Sequence, residues 1–406
     1  MKTRILFVDD EPNVLEGLKR MLRGKRDEWD LAFAGTGPEA LEILEREPFD
    51  VVVSDMRMPG MDGAQLLTEV QRRHPLIVRI VLSGQSDQAM ILQSVRPAHQ
   101  YLTKPCDAET LKNTIERSNQ LRDLLTDNTL RQIVSQMETL PSLPSLYAEI
   151  MREVESEYSS MQKIGQIISR DIGMTAKVLQ LVNSAFFGHC RHVSSPVQAS
   201  ELLGLETIKS LVIHVHIFSQ FKHATLPSSF MNRLWDHSLA TGIYAQTIAK
   251  LEKLGRTVID DAFMAGVLHD AGKLILAANF PKRYRQALLE ALKNKTSLEE
   301  SEQQIFGVGH AEVGAYLLAL WGLPQPIVGA VAFHHRPRQN QCEKISFCTM
   351  VHAANYLEKL ARGQEEEKAA ARVDQDYLAG LGLLEKLPVW LEVCQQAIQE
   401  GESDAT

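Results

Sequence analysis

The stretch Phe49-Asp50-Val51-Val52-Val53-Ser54-Asp55-Met56-Arg57-Met58-Pro59-Gly60-Met61-Asp62-Gly63 most constrains what this chain can fold into. The apolar run Val51 to Val53 reads as a short strand buried on both faces, as a parallel sheet requires. It stops at an acid, Asp55, and a proline and two glycines follow at once, so the chain turns there. A carboxylate is thereby presented at the carboxyl end of a buried strand, where open α/β sheets gather their chemistry. The first strand, Arg4 to Val8, also ends in acids: Asp9, Asp10 and Glu11. Like charges gathered at one sheet edge repel unless something cationic lies between them. A divalent ion with oxygen ligands, Mg²⁺, answers that need.

Two later strands complete the edge. Val78 to Leu82 ends in Ser83-Gly84, a hydroxyl, and Gln100 to Thr103 ends in Lys104-Pro105, an ammonium held before a proline. Helical faces lie between the strands: Val14, Leu15, Leu18, Met21 and Leu22, then Ala40, Leu41 and Leu44, then Leu66, Leu67 and Val70. This alternation predicts an α/β doubly wound parallel five-stranded sheet. The set of strand ends resembles the receiver domain of two-component response regulators. The resemblance implies that Asp55 is the phosphoacceptor and that Mg²⁺ is bound by Asp9, Asp10, Asp55 and the Arg57 carbonyl. It further implies that Ser83 and Lys104 contact the incoming phosphoryl group, and that Tyr101, three residues before Lys104, is the aromatic switch. The chemistry suits those roles. Phosphoryl transfer asks for positioning and charge neutralisation, and an ionised carboxylate needs no activating base. Ala98-His99-Gln100 stands where receivers more usually carry a glycine, so the output face is expected to differ in shape.

A chain of 406 residues exceeds one ordinary domain. Net charge is −8, and no Lys/Arg cluster or basic recognition helix stands out, which argues against DNA as a partner. The five cysteines, Cys106, Cys190, Cys342, Cys348 and Cys394, form no Cys-x-x-Cys pair and read as reduced thiols of a cytoplasmic protein. Asp9-Asp10-Glu11 cuts the first apolar run short of a signal peptide, and no apolar run is long enough to span a membrane.

Asp107 caps a polar helical stretch that runs on as a linker to Gln136, and Leu140-Pro141-Ser142-Leu143-Pro144 breaks it. The linker helix leaves room for a short contact between subunits, and so for a homodimer. From Leu146 the periodicity is helical without a strand, which predicts an all-α bundle. Its short blocks, including Val182-Asn183-Ser184-Ala185-Phe186-Phe187-Gly188, Leu268-His269-Asp270-Ala271-Gly272-Lys273 and Trp321-Gly322-Leu323-Pro324, resemble the HDOD (HD-related output) domain. The expected layout is a receiver at 1–120, a linker at 121–139, an HDOD bundle at 140–340 and a helical extension at 341–406.

The same resemblance marks His237, His269, Asp270, His310, His334 and His335 as positions where HD-type phosphohydrolases hold metal. Imidazole and carboxylate on a helical frame suit Fe, Mn or Zn, which would activate water on a phosphodiester. The closing aspartate is replaced by Asn355, whose neutral amide cannot neutralise metals as a carboxylate does. The preferred expectation is therefore metal-free pocket histidines and an output by contact with a downstream protein, the receiver being phosphorylated by a sensor histidine kinase. The alternatives are a receiver-gated metal-dependent phosphohydrolase and a cyclic-dinucleotide-binding protein.

Overall fold

Parallel pairing builds the N-terminal half of the computed structural model. The structure describes residues 2–83, 98–104, 106–122, 128–137, 141–142, 144–156, 158–183, 193–209, 219–220, 228–340, 344–363 and 373–403. Strands β1 (Thr3–Val8), β2 (Trp29–Ala34), β3 (Val51–Asp55), β4 (Val78–Ser83) and β5 (Gln100–Thr103) form one sheet in the order β2-β1-β3-β4-β5. The register sets Val8 beside Ser54, and Ser54 beside Val81, so the carboxyl ends of β1, β3 and β4 lie side by side. Every residue of β3 is buried. Phe7, Val53 and Ile80 pack with Leu18, Leu111 and Ile115 on one face, while Leu6, Val52 and Val81 pack with Leu41, Leu44 and Leu66 on the other. This two-sided cover is what the unbroken apolar runs predict.

Helix starts follow side-chain caps. Asp62 and Gln65 form a reciprocal box at the start of the helix Gly63–Arg73, and Asp107 accepts the Thr110 N–H at 2.8 Å. Gly63 is required where it stands, because a Cβ there would lie 2.1 Å from the Asp55 carbonyl oxygen. The glycine lets this helix seat directly on the end of β3.

Among the described residues the C-terminal region is helical with one exception. Pro141–Ser142 (β6) pairs in parallel with Ser219–Gln220 (β7), which corrects the expectation of a strand-free bundle. Two paired residues leave no periodicity to read. The helices Ser228–Leu251, Arg256–Leu268, Ala271–Asn279, His310–Leu320, Gln325–Phe333 and Phe347–Ala361 surround a common core. The last helix, Leu387–Ser403, packs back on the bundle as expected: Trp390 is buried and its Nε1–H donates to Glu252 at 3.3 Å. Among the described residues no helix is long and apolar enough to cross a membrane.

A buried polar seam joins the halves. Arg79, at the start of β4, is 1 % exposed, and its Nη2–H donates to the Ser135 carbonyl at 2.7 Å, in the linker helix Asn128–Gln136. The His99 ring lies against Arg79: its Nδ1 accepts the Arg79 backbone N–H at 3.1 Å, and its Nε2 lies 2.8 Å from Arg79 Nη2 and 3.1 Å from the same Ser135 oxygen. Burial, then the Arg79 charge, holds His99 well below its ordinary value and keeps it neutral. From the bundle, Gln180 in the helix Ile172–Val182 donates to the His99 carbonyl at 3.0 Å. Lys177, one turn earlier, lies 5.3 Å over the Trp321 ring, and Gly322 abuts Gln100 of the edge strand β5. Through its carbonyl, His99 is one of the receiver residues that the bundle contacts.

Candidate functional site

The receiver edge gathers its acids around one ammonium. Lys104 Nζ donates to Asp9 Oδ2 at 2.6 Å and contacts Asp55 Oδ1 as well. Asp9 and Asp55 are 2 % and 8 % exposed. The Arg57 backbone N–H donates to Asp55 Oδ2 at 2.8 Å, and the Glu11 N–H to Asp9 Oδ1 at 2.9 Å, which fixes both carboxylates. Burial raises the Asp55 carboxyl above its ordinary value against the pull of Lys104, and the two carboxylates hold Lys104 up despite its burial. Asp10 is exposed at the rim. Ser83 ends β4, and its side chain lies outside the described residues. Tyr101 is buried in the core layer that holds Val81 and Ala98. Buried carboxylate oxygens that converge on a single cation are a donor set that fits Mg²⁺.

The bundle brings together six of the seven residues expected in the second constellation, all but Asn355. They form two groups, His237, His269 and Asp270, and His310, His334 and His335, with ligand atoms inside each group within 4.8 Å of one another. Gly272 permits the approach, because a Cβ there would lie 1.9 Å from the His310 carbonyl oxygen. The Asp270 carboxylate divides between the groups. Its Oδ2 lies 3.7 Å from His237 Nε2 and 3.4 Å from His269 Nε2, and its Oδ1 lies 3.1 Å from His310 Nε2 and 3.8 Å from His334 Nε2. Two ligand atoms each about 2.1 Å from one metal ion stand roughly 3–3.5 Å apart, so these spacings suit shared coordination. Lys273 Nζ donates to Asp270 Oδ2 at 2.6 Å and takes up part of its charge.

Four of the five imidazoles are turned inward by a bond at the outer nitrogen, while His335 meets His310 Nε2 through its own Nε2 at 3.1 Å. Nδ1 of His269 donates to the Gly266 carbonyl at 2.6 Å, and Nδ1 of His334 to the Val331 carbonyl at 2.8 Å. Nδ1 of His237 meets Glu358 at 2.5 Å, and Nδ1 of His310 meets Glu302 at 2.5 Å. The inner nitrogens, Nε2 of His237, His269 and His334, are buried without a hydrogen-bond partner. Buried polar atoms seldom stay unpaired, and a row of bare imidazole nitrogens around a carboxylate is the donor chemistry of Zn, Mn or Fe, so the residues fit such ions. Burial holds His237 down to about 4 although Glu358 opposes it, which leaves the Nε2 lone pair free. Burial would lower His310 too, but Glu302 and Asp270 hold it up to about 9. Asn355 is buried, its Oδ1 unpaired, one turn before Glu358 on the helix Phe347–Ala361. His352 is spent on structure: its Nδ1 donates to the His334 carbonyl and its Nε2 accepts the Asp374 N–H.

Glu302 and Glu358 are the site residues that sequence reasoning missed. A signal was present. Each interrupts an apolar helical stripe, Leu298-Glu302-Ile305 and Val351-Ala354-Glu358, where a charge needs a partner. Of the cysteines, Cys106, Cys348 and Cys394 form no disulfide, while Cys190 and Cys342 lie outside the described residues.

Fold and sites together define a two-component signalling protein, a receiver sheet carrying a helical output bundle. Residues 5–116 match the response regulator receiver domain and residues 140–337 the HDOD domain; the chain is a response regulator of the receiver–HDOD type. An uncharacterized protein of Treponema pallidum is 29 % identical over 208 residues, 50 % of this chain and 39 % of that protein. The hydrogenase transcriptional regulatory protein HoxA of Cupriavidus necator is 36 % identical over 125 residues, 30 % of this chain and 25 % of its own. The matched stretches span well under half of these relatives' lengths. Among solved structures, the MmoQ response regulator of Methylococcus capsulatus aligns at 23 % identity with a TM-score of 0.45, covering 60 % of this chain and 98 % of that one.

Proposed function

We propose that Asp55 accepts a phosphoryl group from a sensor histidine kinase, and that this changes how the receiver sits on the HDOD bundle, which passes the signal to a downstream protein. The observation that carries the reading is the convergence of Asp9 and Asp55 on Lys104 at the carboxyl ends of neighbouring strands. Asp9 and Asp10, with Asp55 and the Arg57 carbonyl, would hold Mg²⁺, which neutralises phosphoryl oxygens when bound. Asp55 presents its carboxylate to phosphorus, held in place by the Arg57 N–H. Lys104, paired with both Asp9 and Asp55, would move onto the new phosphoryl oxygens, with the Ser83 hydroxyl and Tyr101 following. Acetyl phosphate with Mg²⁺ should label the chain, and Asp55→Asn should abolish the label. Labelling of that variant at the wild-type rate would remove Asp55 from its role.

A second reading concerns the bundle. The bare Nε2 atoms of His237, His269 and His334 around Asp270 support a metal centre, and with it hydrolysis or binding of a phosphodiester such as a cyclic dinucleotide. The bound ions would activate water and polarise phosphate. Metal analysis of purified protein tests this reading. Ions lost on His269→Ala support it, and protein without ions after growth in Fe, Mn or Zn opposes it.

A further inference from the structure

We propose that Glu302 and Glu358 are positioning residues of a two-metal centre, one glutamate serving each half. The inference rests on the metal reading above and deepens it. Four facts carry it. The candidate ligands divide into two groups, and Asp270 offers one oxygen to each. Each group contains one histidine whose outer nitrogen meets a buried glutamate at 2.5 Å: His237 with Glu358, and His310 with Glu302. The glutamates are 0 % and 2 % exposed, so their charges are sited at considerable desolvation cost. The Nε2 atoms of His269 and His334, wholly buried, are unpartnered and directed to the same centre.

A carboxylate on Nδ1 does three things for a ligating imidazole. It fixes the proton on Nδ1, orients the ring, and makes Nε2 a stronger donor. Here it also supplies charge. Asn355 stands where the resemblance calls for an acid, and Glu358 brings a carboxylate to the same helix face one turn later. Arg362 pairs with the far oxygen of Glu358 and fixes that carboxylate from outside. Glu302 is fixed by its own chain: the oxygen on His310 Nδ1 also accepts the His310 backbone N–H at 2.8 Å. Each glutamate is thus held on one side and turned toward one histidine, an arrangement with little purpose for a core that needs only packing.

The test uses the full chain, stripped of metal and titrated with Zn²⁺ against a chromophoric chelator. Wild type should take up two equivalents. Glu358→Gln, isosteric but neutral, should weaken one equivalent by about 10–100-fold and leave the other; Glu302→Gln should do the same to the other equivalent, and the double variant should weaken both. Two equivalents bound with wild-type affinity by both single variants would overturn the inference and leave the metal reading standing. No Zn²⁺ uptake by wild type would overturn the metal reading, and this inference with it. Should a variant not fold, ring ¹⁵N shifts of Zn²⁺-loaded wild type decide. Protonated Nδ1 with metal-bound Nε2 in His237 and His310 is expected, and the opposite tautomer overturns the inference.

Discussion

Arg79→Ala tests whether the two halves of this chain act as one body. In the docked protein the Arg79 guanidinium is the donor that reaches from the receiver sheet to the Ser135 carbonyl of the linker helix. Losing a charge-assisted bond to a buried carbonyl costs about 1.5–3 kcal/mol, and losing the packed side-chain stem adds to it. Against this, alanine no longer strips a guanidinium of water on docking. That relief is partial, because Arg79 Nη1 also bonds the receiver's own Ile77 and Pro75 carbonyls, at 3.1 and 3.4 Å, and these bonds do not depend on the bundle. A net loss of about 2 kcal/mol of docking free energy follows, roughly a thirtyfold rise in the undocked population.

Hydrogen exchange on the whole chain reads this directly. Amides of the helices Asn128–Gln136 and Ile172–Val182 should exchange about thirtyfold faster in the variant, while those of β1 and β3 keep their wild-type protection. Unchanged exchange in both helices would refute the seam as the holding contact. Equal acceleration in β1 and β3 would mean that Arg79 holds the receiver together, not the two halves.

Three further outcomes are expected. His99 is neutral when docked and its ordinary value is 6.5, so docking is at full strength above about pH 6.5 and weakens as pH falls below it; proteolysis of the linker should quicken progressively as pH falls below about 6.5, and a flat profile would exclude His99. Lys104→Ala removes the ammonium shared by Asp9 and Asp55 and should slow acetyl phosphate labelling by about 100-fold, with a change under threefold counting against its role. Gly272→Ala forces a Cβ onto the His310 carbonyl and should lower stability by about 1–3 kcal/mol, whereas Gly17→Ala, with open space around it in the helix Pro12–Met21, should raise it by about 0.5–1 kcal/mol; thermal unfolding of the pair checks both signs.

The receiver site was legible because its chemistry interrupts buried strands. Asp9 follows an apolar run at once, and Asp55 and Lys104 follow theirs after one hydroxyl residue, Ser54 and Thr103, so period and polarity change within a residue or two. The six clustered residues of the bundle were legible only through resemblance, since isolated histidines on helices carry no period of their own. What escaped was pairing across long separations. Glu358 meets His237 over 121 residues, Gln180 meets His99 over 81, and Arg79 meets Ser135 over 56. Arg79 sits inside the apolar run Val78 to Leu82, which marks it as a charge needing a partner, but nothing local says that the partner is Ser135 of the linker helix.

The helix His310–Leu320 runs from the His/Asp cluster of the bundle to the seam. Its first residue faces Asp270, and just past its last residue Trp321 and Gly322 meet Lys177 and Gln100 at the seam. Eleven helical residues span about 16 Å. Every one except Glu312 is buried, so the helix is gripped along its length by the receiver's helix Ala108–Arg122, the linker helix and the bundle. A rod packed on all sides does not bend to relieve a shift at one end; it moves as a unit or its surroundings repack, because close-packed interiors have discrete arrangements. Release of the seam by a change in β5 would therefore reach His310 without a chain of intermediaries, and ions that fix His310 would in turn bias the seam by the same free energy.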